Sequence, residues 1–131
     1  MIIISLNIRG LGGGMKLRYM RKLIAESAVL VCIQEIKSTS ITEAKCFDLW
    51  GDSNIGWIFN EEDVGVGSML TMWHKETFTY INHQIGKGYI VIFGHHLKSK
   101  KIVLVINVYS PCNMSEKKSL GEELSNIKIS K

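Results

Sequence analysis

Two side chains have the type and position to do chemistry together, Asn7 and Glu35. Each ends an apolar run that reads as a β-strand: Ile2, Ile4, Leu6 and Ile8 alternate along the first, and Val29–Ile33 is continuous in the second. A single helical segment joins the two runs. A right-handed crossover would therefore bring both strand ends to the same rim of a sheet, where open α/β sheets hold their ligands. A carboxylate beside an amide offers hard oxygen donors, which suit Mg²⁺ or Mn²⁺ better than zinc. Polar residues also end many strands for no chemical reason, so on the residues alone both readings stand.

Other candidates fail on spacing. Gly10-Leu11-Gly12 opens a GxGxxG pattern, but Met15 stands where the third glycine belongs. Met15 and Leu17 likewise break a GxxxxGK[ST] loop. The glycines of 10–14 read instead as a turn between strand and helix. His95 and His96 are adjacent and point to opposite faces of a strand, while His74 and His83 lie on other segments. Cys32, Cys46 and Cys112 form neither a CxxC pair nor a cluster with histidine at zinc spacing. Free thiols in a reducing, intracellular setting are expected. Lys16, Arg18, Arg21 and Lys22 form a basic face, read first as solvated surface and alternatively as a nucleic-acid patch.

The elements that must position Asn7 and Glu35 follow from hydrophobic periodicity. Leu17, Met20, Leu23 and Ile24 recur at helical spacing over 16–27. Ser40-Ile41-Thr42-Glu43 has capping-box spacing and Gly51 is a stop, which predicts a second helix between them. Strands are predicted near 56–60, 68–73, 78–85, 89–95 and 101–109, with Lys98-Ser99-Lys100 turning the last two into a hairpin. A final helix is expected over 115–127. This order indicates an α/β fold, a mixed β-sheet with helices on one face. Its other face should also be apolar, and the predicted helices are too few to cover it. Trp50, Trp57 and Trp73 are assigned to packing.

The composition agrees with one domain or part of one. The chain has 131 residues, 46% hydrophobic and 21% charged, with one proline, which excludes a disordered chain. No apolar run reaches membrane-spanning length, and Met1–Ile4 is too short for a signal-peptide core. A net charge of +4 and a pI near 9.0 permit a polyanionic partner without requiring one.

Three ordered motifs carry a resemblance. Ser5-Leu6-Asn7-Ile8-Arg9-Gly10-Leu11-Gly12 resembles the first strand of the endonuclease/exonuclease/phosphatase family. Ile33-Gln34-Glu35-Ile36-Lys37 resembles its QE[ST]K segment, and Asn107-Val108-Tyr109-Ser110-Pro111 its NxYxP strand. The phrasing is similar to the apurinic-type endonuclease domain of plant LINE retrotransposons. Leu49-Trp50-Gly51-Asp52-Ser53, Gly56-Trp57 and Val66-Gly67-Ser68 fit the same comparison. The resemblance implies a partial domain over 1–131, the N-terminal half of a four-layer α/β sandwich.

It also implies that Asn7 and Glu35 serve a Mg²⁺ or Mn²⁺ site, that Asn7 and Tyr109 are catalytic, and that Arg9, Lys16 and Arg18 meet DNA. A nuclear location would follow by analogy. Ile36 departs from the motif's hydroxyl residue, and Cys112 intervenes before Asn113. The family's later Asp-x-Asn motif, further aspartate and Asp-His pair cannot be placed in this sequence. An inactive phosphodiesterase half, a non-catalytic nucleic-acid-binding fragment and a functionless retroelement remnant are the resulting alternatives. The missing half, or self-association through the uncovered sheet face, is the expected partner for that face.

Overall fold

Val31 and Ile33 point to one side of their strand and Leu30 and Cys32 to the other, and all four are buried. This strand is the centre of the molecule. In the computed structural model, residues 3–7, 14–27, 30–36, 42–61 and 68–109 are described. They form β1 (Ile3–Asn7), α1 (Gly14–Ser27), β2 (Leu30–Gln34), α2 (Glu43–Trp50), β3 (Ile55–Asn60), β4 (Met69–His74), β5 (Phe78–Gly86), β6 (Tyr89–His96) and β7 (Lys101–Val108). The helix expected over 115–127 and most of the glycine-rich turn lie outside the described residues.

The first four strands make a mixed sheet in the order β1-β2-β4-β3. β1 and β2 are parallel, in the register Ile3↔Leu30 to Asn7↔Gln34. β4 runs antiparallel to both β2 and β3. Both helices cover one face: Met20 and Ile24 of α1 and Cys46, Leu49 and Trp50 of α2 pack with Val31, Ile33, Leu70 and Met72. Arg21 ties the helices together by donating to the backbone oxygen and carboxylate of Asp48. That guanidinium is thus partly spent on a helix–helix tether.

α2 ends as the sequence indicates, with Gly51 in the left-handed region at φ 84° and its N–H on the Phe47 carbonyl. Its start differs. Thr42 is the cap, accepting from the Lys45 N–H at 3.2 Å. Ser40, which the capping-box spacing favours, lies outside the described residues.

The strands β5-β6-β7 do not extend this sheet. They form a separate antiparallel sheet, joined by the Lys87–Gly88 turn and by the predicted hairpin at 97–100. Its Phe78, Ile90, Ile92 and Val105 pack on Leu30, Cys32, Met69 and Trp73. The layers are therefore helices, sheet and sheet. The face of β2 expected to lie open is buried under the chain's own strands, which corrects that expectation. The reason is the turn after β4: the Thr77 N–H returns to the His74 carbonyl at 3.1 Å, and Phe78 then plunges into the space between the sheets.

Exposed apolar side chains lie elsewhere. Along β7, Val103, Val105 and Asn107 face the first sheet, whereas Ile102, Leu104, Ile106 and Val108 alternate outward and are exposed. On β6 the outward-alternating Tyr89, Val91 and Phe93 form a third buried cluster. No described helix is long and apolar enough to cross a membrane.

Candidate active site

β1 and β2 are parallel neighbours, so their C-terminal ends share a rim. Asn7 is the register partner of Gln34, and Glu35 follows directly. Ser5 and Asn7 lie on the same face of β1. It is the face turned to the second sheet, since Ile4 and Leu6 pack against the helical core.

Glu35 does not continue the strand. Regular alternation would send it toward the helices, after Val31 and Ile33. Its φ of 56° lies in the left-handed region, a conformation uncommon for a residue with a side chain. Its neighbours on both sides enforce it. Gln34 is buried between the sheets, while Ile36 is 1% exposed in the helical core and its N–H bonds to the Ser68 carbonyl at 3.0 Å. The kink turns the Glu35 carboxylate to the second sheet, where the Tyr109 hydroxyl donates to its Oε1 at 2.6 Å. Tyr109 follows the end of β7, and its N–H is held by the Gly88 carbonyl at 2.9 Å.

The structure thus brings Glu35 and Tyr109 into direct contact and puts Asn7 at the end of the strand beside them. Arg18 is exposed on α1. Arg9 lies outside the described residues, and Lys16 belongs to α1 without a described side chain.

Sequence reading assigned no role to the most connected polar residues behind this rim. Asn107 is 1% exposed and Gln34 8%. The Gln34 amide donates to Asn107 Oδ1 at 2.8 Å and to Ser5 Oγ at 3.2 Å. Asn107 Nδ2 donates to the Leu70 carbonyl and Thr71 Oγ1, both at 3.1 Å, with the Ile33 carbonyl at 3.4 Å. The signals in the sequence are their places in the Ile33–Lys37 and Asn107–Pro111 motifs and a polar residue on each of two otherwise apolar, inward strand faces. Asn60 does similar work at the far edge, donating from β3 to the carbonyls of Gly86 and Tyr89.

A second polar pair lies away from this rim. His74 Nε2 and Asp52 Oδ2 are 2.8 Å apart. The Asn54 N–H and then His74 hold the Asp52 carboxyl below its usual range. β4 is antiparallel to β2, with Trp73 opposite Leu30, so His74 sits at the opposite end of the sheet from Glu35.

The rim offers a cation a carboxylate and an amide oxygen. In kind these fit a hard divalent ion. In number they are few: the described residues contain no group of three or more His, Cys, Asp or Glu able to hold a metal.

No family model matches the chain, and no curated protein matches it in sequence. Solved structures do match. A humanized D. rerio TDP2 bearing 14 mutations superposes with a TM-score of 0.62 at 16% identity, covering 94% of this chain and 53% of its own. AP endonuclease LMAP from Leishmania major gives 0.60 at 16% identity, covering 95% and 44%. TDP2 from C. elegans gives 0.55 at 14% identity, covering 94% and 39%. At this identity the likeness is one of fold: the chain is α/β, its described residues forming a mixed sheet with two helices on it, and it spans about half the length of these neighbours or less.

Proposed function

We propose that this chain carries the N-terminal part of a Mg²⁺- or Mn²⁺-dependent phosphodiesterase centre acting on DNA, of the retrotransposon-endonuclease kind. The observation that carries this reading is the Tyr109–Glu35 hydrogen bond, at the rim where the strand of Asn7 also ends. The fold likeness to TDP2 and AP endonuclease structures supports it, as do the motifs that contain these three residues.

In this reading Glu35 keeps one carboxylate oxygen on Tyr109 and offers the other to the cation, with the Asn7 amide oxygen beside it. Tyr109 restrains the carboxylate and places its ring at the edge of the phosphate site. Arg9, Lys16 and Arg18 meet the DNA backbone, where each phosphate contact adds to the salt dependence of binding. The cation, when bound, neutralises charge on the phosphate oxygens. No general base is among these residues. Water activation requires side chains from outside this set, in a longer domain or a second polypeptide, and losing a base alone costs on the order of 10²–10⁴ in rate. The chain therefore binds the ion without turnover. A nuclear location accords with a DNA substrate.

A Mg²⁺ thermal-shift titration, run beside a plasmid-nicking assay, tests this. Mg²⁺ should raise the melting temperature of the wild-type chain, because a ligand that binds only the folded state stabilises it. Glu35→Gln should abolish the shift, and neither protein should nick supercoiled DNA. An equal shift in Glu35→Gln, or none in either protein, would overturn the cation site. Nicking by the wild type that Glu35→Gln removes would overturn the half-site.

A further inference from the structure

Glu35 follows a strand of one sheet and Tyr109 a strand of the other, 74 positions apart in sequence. The ladder of neither sheet fixes one against the other. Two facing sheets meet through apolar side chains, and apolar contact tolerates sliding because it has no direction. Something directional has to set the offset.

Gln34 and Asn107 are the directional groups on the Glu35 side of that interface; Asn60 bonds across it at the far edge. Gln34 directly precedes Glu35. Asn107 lies two residues before Tyr109, so both point from β7 toward the first sheet. Asn107 Oδ1 takes the Gln34 amide at 2.8 Å, and its Nδ2 reaches the Leu70 carbonyl and Thr71 Oγ1 on β4. Its partners thus belong to two adjacent strands, β2 and β4, and one side chain spans the seam between them. An amide buried to 1% exposure is costly unless its partners are in place. Val103 and Val105, four and two residues earlier on the same face, fill the space between the sheets without such a cost. What the amide adds is geometry. A slide of one sheet across the other would draw the Tyr109 hydroxyl off Glu35.

We propose that Gln34 and Asn107 are positioning residues. Their amide pair sets the offset between the two sheets and thereby holds the Tyr109 hydroxyl on the Glu35 carboxylate. This deepens the reading of the rim given above, yet its test needs no cation. Failure to bind Mg²⁺ would remove that reading and leave this one standing.

A double-mutant cycle in the folding equilibrium of the full chain provides the test. Tyr109→Phe alone should lower the folding constant about tenfold, the size of one hydrogen bond to a charged group. In an Asn107→Leu background the hydroxyl no longer meets Glu35, and the same change should cost less than about twofold. A purely structural Asn107 would leave the two effects additive, as independent sites are, and additivity overturns the proposal. If Asn107→Leu prevents folding, Gln34→Leu replaces it in the cycle. It removes the pair from the other side while Asn107 keeps its bonds to β4, and the same two outcomes decide.

Discussion

Glu35 shows how much of this site is set by its immediate neighbours. Its carboxylate faces the second sheet only because Gln34 and Ile36 are locked on opposite faces of the first. Holding a side-chain-bearing residue in the left-handed region costs of order 1 kcal/mol or more, which the surrounding bonds offset. Cys32 and Cys46 make a different case. Burial pushes both thiols up to about 12 from an ordinary 9.0, with Thr71 pulling Cys32 slightly back and Glu43 adding to the rise at Cys46. The folded chain therefore keeps these protons where the unfolded chain releases them. Stability present in full below about pH 9 should fall as pH climbs from 9.0 toward 12, by at most about 1.4 kcal/mol per pH unit for Cys32. Urea unfolding at stepped alkaline pH checks this, and Cys32→Ala should flatten the slope. Asn7, Glu35 and Tyr109 were legible in the sequence as polar residues at strand ends or inside motifs. Gln34 and Asn107 lie inside the same motifs, but their contact was not legible, because nothing in a sequence shows which inward-facing polar residues of two distant strands meet.

At the scale of elements, alternation and continuous apolar runs located every described strand to within a residue or two. Both described helices followed from periodicity and from Gly51. What the pattern left open was whether β5–β7 prolong the first sheet or fold over it. Apolar alternation such as that of β7 looks the same in either arrangement, because it says which side chains share a face and not which sheet lies opposite. The packing of the first sheet is tight where β3 and β4 pair. Gly56 lies opposite Trp73 in register, and a Cβ there would overlap the indole ring. Gly56→Ala should therefore destabilise the chain by about 1–3 kcal/mol, the usual cost of overpacking. Thermal unfolding followed by Trp fluorescence measures this, and an unchanged transition would mean that the strands separate more easily than the packing implies.

As a whole molecule, the chain is helices, sheet and sheet, with its proposed chemistry confined to one rim between the two sheets. The second sheet covers the apolar face that the sequence seemed to leave open, and the exposed Ile102, Leu104, Ile106 and Val108 lie on the far side of β7. The solved structures that share its fold are about twice its length or longer. The central proposal is narrower: Glu35 and Asn7 hold one divalent cation, with Tyr109 restraining the carboxylate. Mn²⁺ titration, followed by paramagnetic broadening of the backbone amide resonances, tests it most directly. The account predicts that broadening begins at Asn7, Glu35 and Tyr109 at substoichiometric Mn²⁺ and disappears in Glu35→Gln. Broadening centred instead on Asp52 and His74, at the opposite end of the sheet, would contradict it.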